Sequence, residues 1–326
     1  LNTTLLASFG TCRHNRPPDA NPYQERLSMA DPIKVDSHVH LYPTAAAGLA
    51  DKEGYEIFEY GERDEVAFSD FSGTLDDAKQ AMEESGISRA VIVNLFISEI
   101  HGGATGASPA KIADAMKTFN RWCCQIARDH PEFAAFVAAD ANVLPGEAGA
   151  IHFRDMAENI GARGVKLHGI AQDFNMSDER LWPIYKVCQE LDRPVIGHSG
   201  PDKNGTGFAE PKAFGRLLKD FPDLNVVLAH MGGASWDQAL EIAVTYPNAY
   251  FDCCEIIEWT GGSNAPTAEQ LGQLIHDIGA HRVMMGSDFP WYDLDNTVDR
   301  IMDMPVLSNE EKEGILGANA VTILGL

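Results

Sequence analysis

From residue 33 to the C-terminus, eight short apolar runs alternate with helical stretches, and this rhythm constrains the fold more than any other feature of the chain. The runs are 33–40, 90–96, 133–140, 164–168, 194–198, 226–230, 249–253 and 282–287. They are rich in Val, Ile, Leu and Ala and nearly unbroken, as strands buried on both faces should be. Helical patterns separate them at 74–85, 108–129, 147–159, 178–191, 211–220, 235–245, 267–278 and 295–302. Ser308-x-x-Glu311 is a capping box that opens a last helix to Leu324, and Thr74-x-x-Asp77 is a weaker one. Eight βα units without a composition break predict one α/β domain, a (β/α)8 TIM barrel over 29–326 with an insertion after strand 1. A doubly wound open sheet is the alternative. Residues 1–28 show no sustained period and contain Pro17, Pro18 and Pro22, so they read as a tail or an arm. A start at Met29 is a second reading of that region.

The net charge of −23 argues against nucleic acid and anionic membrane as partners, because both call for a basic face. No apolar run reaches the roughly 18 residues of a membrane span. Six cysteines in 326 residues do not make a disulfide framework; they fit buried thiols in a reducing compartment, so the expected setting is the cytoplasm. The first connection is unusually long and acidic. Between Asp51 and Asp77 ten acidic residues face only Lys52 and Arg63. In a barrel this segment lies on the C-terminal face of the strands, where sites are built. It is either a wall over the site or a solvated excursion.

Val35-Asp36-Ser37-His38-Val39-His40 carries the clearest chemical signal. Side chains two apart on a strand share a face, so His38 and His40 converge on one point, a natural pair of metal ligands. Other strands end alike: Gly197-His198-Ser199-Gly200, Ala229-His230-Met231-Gly232-Gly233 and Gly286-Ser287-Asp288-Phe289-Pro290. Burying several imidazoles and a carboxylate together without a partner is costly, and a divalent metal resolves it. Gly164-Val165-Lys166-Leu167-His168 adds Lys166 and His168 on one face. Lys166 either becomes carboxylated and bridges two metals, or stays cationic and holds an anion, or pairs with an acid behind the site. Asp36 is expected to support an imidazole or to be a buried structural acid. Cys253 or Cys254 faces the cavity or is structural. Glu255, Trp259, Trp291 and Tyr292 fall on loops that line a pocket or pack behind it.

The set His38-x-His40, Gly164-Val-Lys-Leu-His168, His198, Ala229-His-Met-Gly-Gly233 and Met285-Gly-Ser-Asp-Phe-Pro290 resembles the amidohydrolase superfamily, in its amidohydrolase-related group of metal-dependent hydrolases. The resemblance covers about residues 31–326. It implies a distorted barrel binding zinc, or manganese, as one ion rather than two. It implies His38, His40, His198 and Asp288 as ligands, with His230 a further ligand or the acid/base. Members with a second metal use the fourth-strand lysine, here Lys166. Relatives are often dimers, and the residues themselves do not set the oligomeric state.

The leading expectation is hydrolysis of a small ester, lactone or amide by a metal-activated water, with Asp288 taking the proton and His230 stabilising the oxyanion. The alternative is non-oxidative decarboxylation of a small, often aromatic, carboxylic acid. Lys166, Lys203 and Arg63 would then be the cationic contacts. The acidic connection favours hydrolysis, since acidic charge repels an anionic substrate unless it faces water. A silent binding protein would have lost ligand positions, and here they are all present.

Overall fold

The apolar runs form eight parallel strands in the computed structural model, which describes residues 33–54, 59–61, 63, 66–98 and 106–326. They are β1 (Val35–Val39), β2 (Arg89–Ile92), β3 (Phe133–Ala138), β4 (Gly164–Leu167), β5 (Val195–His198), β6 (Val226–Ala229), β7 (Ala249–Asp252) and β8 (Val283–Met284). Each pairs with the next in sequence order. Between β8 and β1 the ring is closed by Ser37 N donating to Met285 O at 3.0 Å, His40 N to Phe289 O at 2.7 Å and Asp288 N to His38 O at 3.0 Å. The expected (β/α)8 barrel is therefore the fold, and the open sheet is not. Residues Ile33–Leu326 make one compact unit. The reading of 1–28 as a tail, and of Met29 as a start, lies outside the described residues.

Strand alternation sorts the apolar side chains into two sets. Val137, Val165, Val195, Val226, Leu228 and Phe251 pack outward into the cluster under the helices. Val35, Val91, Phe136, Ile196, Val227 and Met284 form a separate cluster that Ala320, Ile323 and Leu324 complete. The last three belong to the helix Asn319–Leu324, which meets this interior cluster at the N-terminal ends of the strands. Both capping boxes expected from sequence are formed, at Thr74 and at Ser308.

Two local departures position the site. The helix expected over 235–245 begins only at Ala239. His230, Met231, Gly232 and Gly233 all take positive φ, which delays it; glycine tolerates this readily, whereas His and Met do not. The first connection holds the helix Ala45–Glu53, capped by Thr44, where the sequence shows few periodic signals. Of that connection's acidic residues, Glu56, Glu62, Asp64 and Glu65 lie outside the described residues.

Candidate metal centre and active site

The strand ends deliver His38, His40, Lys166, His168, His198, His230, Glu255 and Asp288 to one cavity of about 1090 Å³. All seven residues of the predicted site line it. The ligand atoms of His38, His40 and Asp288 lie within 4.8 Å of one another, as do those of His230, Glu255 and Asp288, and those of His38, His230 and Cys254. Asp288 Oδ1 is 3.2 Å from His40 Nε2 and 3.6 Å from His38 Nε2. His198 joins none of these sets among the described residues. Its ring stacks on His168, with centroids 3.8 Å apart and planes at 9°, and lies 4.7 Å from His230.

Hydrogen bonds decide which nitrogen each imidazole offers. His38 Nδ1 is 3.0 Å from Asp252 Oδ2. A carboxylate accepts, so Nδ1 carries the proton and Nε2 offers its lone pair. His230 Nδ1 lies 3.3 Å from the Cys254 carbonyl, which fixes the same tautomer. His168 is the reverse: its Nδ1 accepts from Ala171 N at 3.3 Å, so Nε2 donates. Burial holds His38, His198 and His230 well below the usual imidazole range and takes His40 and His168 down to about 3. Neutral imidazoles are the form a metal binds. Burial also pushes the Asp288 carboxyl up to about 7, against the pull of Lys166. Neutral nitrogen lone pairs gathered around a carboxylate made uncomfortable by burial are a donor set that a divalent cation suits. The residues present therefore fit such an ion.

Lys166 is 1% exposed, with Nζ 3.0 Å from His38 Nε2. Burial lowers its pKa, and the nearby Asp252, Cys254, Asp288 and Glu255 oppose that. Arg63 does not reach the cavity; its guanidinium donates to the Glu258 carbonyl. Lys203 is not among the lining residues, so Lys166 is the cation that lines the cavity among the described residues.

Sequence reasoning missed Asp252 and left Asp36 with two readings, of which the structural acid is the one observed. Asp36 touches no imidazole: its carboxylate accepts from His38 N and Ser287 N, each at 3.0 Å, and from the Ser287 hydroxyl. It is a structural acid that ties β1 to the segment after β8. Asp252 holds the His38 ring and also accepts from His230 N at 2.8 Å. Its signal was its inward register on β7, two residues beyond Tyr250. Cys254 has its thiol 3.0 Å from His230 Nδ1, and Glu255 Oε2 is 3.5 Å from the same nitrogen. His230, Glu255 and Asp288, just beyond β6, β7 and β8, have φ of 61°, 60° and 60°. Such strain in residues with a Cβ concentrates at functional sites. Trp291 lines the cavity, whereas Trp259 and Tyr292 stand behind Glu255: Trp259 Nε1 donates to the Tyr292 hydroxyl at 2.8 Å, and that hydroxyl donates to Glu255 Oε1 at 3.3 Å.

One acid of the connection loses its charge, and two others are engaged locally. Asp51 accepts from the Tyr42 hydroxyl, and Asp77 caps the helix Leu75–Ser85. Burial beside Glu255 pushes the Glu59 carboxyl up to about 8, so it is largely protonated at neutral pH. The electrostatic argument against an anionic substrate loses the Glu59 charge, while Asp51 still lines the cavity.

A closed eight-stranded barrel with a histidine-rich cluster at its C-terminal mouth defines a metal-dependent enzyme of the barrel class. The match to the amidohydrolase family runs over residues 35–326, and the chain belongs to that family. It is 23% identical to a 2-amino-3-carboxymuconate-6-semialdehyde decarboxylase of Dictyostelium discoideum, over 90% of this chain and 92% of that protein. Among solved structures it resembles a 2,6-dihydroxybenzoate decarboxylase complexed with 2,6-dihydroxybenzoate, at TM-score 0.65, 17% identity and coverage of 90% and 99%. A dihydroxybenzoic acid decarboxylase from a Polaromonas species, with bound manganese and 2-nitroresorcinol, matches at TM-score 0.67, 16% identity and coverage of 90% and 97%. No helix among the described residues is long and apolar enough to cross a membrane.

Proposed function

We propose that the chain is a metal-dependent non-oxidative decarboxylase of a small unsaturated or aromatic carboxylic acid. The carrying observation is the composition of the cavity. One buried cation, Lys166, stands on a floor of neutral imidazoles beneath walls that include Leu95, Phe96, Phe119, Trp122 and Trp291. That arrangement suits a flat apolar body bearing one negative group. The curated relative and the two decarboxylase structures support the same reading over hydrolysis.

His38, His40 and Asp288 would hold the ion, with His198 completing the set. When bound, a divalent ion supplies Lewis acidity and positive charge toward the substrate's oxygens. The Lys166 ammonium sits beside His38 and meets the substrate carboxylate. Asp252 keeps His38 in the tautomer that leaves Nε2 available. His230, its Nδ1–H directed at the Cys254 carbonyl with Glu255 alongside, is the proton donor through Nε2 once that nitrogen has taken up a proton. An anionic substrate beside it raises its affinity for a proton. As the bond to the carboxylate carbon breaks, its electron pair takes the His230 proton and carbon dioxide leaves. His230 regains the proton from solvent.

Hydrolysis stays as a second reading on one observation: an Asp288 carboxyl near 7 also suits a general base. The test is an assay of zinc- or manganese-loaded protein for carbon dioxide release from hydroxybenzoates and unsaturated acids, beside hydrolysis of lactones, esters and amides. Carbon dioxide release that chelation abolishes is the expected result. Turnover of a lactone or ester, with no acid decarboxylated, would sink the proposal.

A further inference from the structure

The cavity has two chemically different parts that come from different strands. The polar part comes from the ends of β1, β4, β5, β6, β7 and β8. Most of the rest comes from the connections after β1 and β2, with Ala171 following β4 and Trp291 following β8. After β1, Ala47, Ala50, Asp51 and Gly54 line it from the helix Ala45–Glu53 and its C-cap. After β2, Ala115, Thr118, Phe119 and Trp122 line it from the helix Pro109–Asp129. Both sets fall at i, i+3, i+4 and i+7, so each helix turns one face to the cavity. Leu95, Phe96 and Ile97 join the two, with the Phe96 and Phe119 rings 5.9 Å apart.

The whole cavity, polar part and lobe together, is larger than a single-ring acid needs. Pockets of roughly 300–1,000 Å³ hold drug-sized ligands. This cavity is about 1090 Å³, and its lining beyond the histidines is mostly alanine, glycine and aromatic rings. Alanines at 47, 50 and 115 leave room that larger side chains would fill.

We infer that the substrate is an amphipathic acid: a carboxylate on an aromatic or polyene head, carrying an apolar arm of several carbons that lies between the two helices. This rests on the decarboxylase reading for the head group and on the lobe alone for the arm. The head sits over Lys166 and the metal ligands, and the arm contacts Ala50, Ala115, Phe119 and Trp122. Each methylene buried there should tighten binding roughly fourfold until the lobe is full.

The test is calorimetric binding of 4-alkylbenzoates, with arms of zero to six carbons, to the metal-loaded full chain, which requires no turnover. The expected result is affinity rising roughly threefold to fourfold per carbon over at least three carbons. In Ala50→Leu and Ala115→Phe, each checked for an unchanged melting temperature, the ratio of long-arm to short-arm affinity should fall at least tenfold. Either variant showing that loss while folded supports the lobe. Affinity flat with arm length overturns it, even where short acids are decarboxylated. Length-dependent binding with no carbon dioxide released from any acid keeps the lobe and removes the decarboxylase reading. No binding of any acid overturns both.

Discussion

At the N-terminal ends of the strands, the barrel interior is filled by Val35, Val91, Phe136, Ile196, Val227 and Met284, all essentially inaccessible to solvent. One pleat further along the same strands, Ile196 gives way to His198, and Tyr250 to Asp252. The backbone, the pairing and the burial hardly change between the two levels, but the chemistry reverses. The lower level is apolar surface removed from water, which stabilises. The upper level buries groups that prefer water, which costs stability unless they find partners. One level holds the barrel together, and the other spends part of that stability on a site.

Substitutions at the two levels should separate along that line. The largest effect is expected from Asp288→Asn, which removes the carboxylate shared by His38 and His40. Steady-state kinetics should show activity down by about 10²–10³ or more. The melting temperature of the metal-free protein should hold or rise, because a carboxyl destabilised by burial is gone. Phe136→Ala at the lower level should do the opposite. About 3–5 kcal/mol of stability should be lost in chemical denaturation, with kcat of the folded protein within twofold of the parent. A large fall in kcat there would mean that the two levels are mechanically coupled. Asp252→Asn removes the partner that orients His38. Metal affinity, titrated against a competing chelator, should weaken about 10–100-fold.

The smallest effect tests the comparison from outside both levels. His152 is buried against Asn120 Nδ2 at 3.1 Å, and Asn120 in turn bonds the backbone of Ala138 on β3. Burial, aided by Lys117 and Arg121, lowers the His152 pKa to about 4. The unfolded imidazole titrates near 6.5, so between those values the unfolded chain binds the proton and the fold does not. The His152 contribution to stability should therefore fall by about 3 kcal/mol as pH drops from about 6.5 to 4. His152→Gln should reduce the slope of stability against pH in that window by the share of one histidine, without changing metal affinity.

The lower level was legible in the sequence because strands buried on both faces are nearly unbroken apolar runs, and Val226–Ala229 or Val195–His198 admit no other reading. The site was legible where chemistry broke that pattern in a repeated way, as in His38-x-His40 or the His and Asp residues followed by glycine or proline. Asp252 was not, because an acid at the end of Ala249–Asp252 looks like an ordinary strand terminus. Only the barrel's curvature brings it to His38. The helix Ala45–Glu53 was missed for a local reason: its run of alanine and glycine has almost no amphipathic period. The same small residues open the apolar lobe. Spacing left Asp36 either a partner for an imidazole or a structural acid; beside the register irregularity between Asp36 and Val39 its carboxylate accepts from Ser287, which decides for the second.

That closure of β1 against the segment after β8 has a bearing on how the enzyme is made. His38 and His40 are synthesised about 250 residues before Asp288. With these three as the ligand set, a nascent or truncated chain carries only two of the three ligands. The ion is then captured tightly only after the last stave has been set against the first. Metal loading becomes a check that synthesis is finished, and unfinished chains have little means of competing for the cell's free metal.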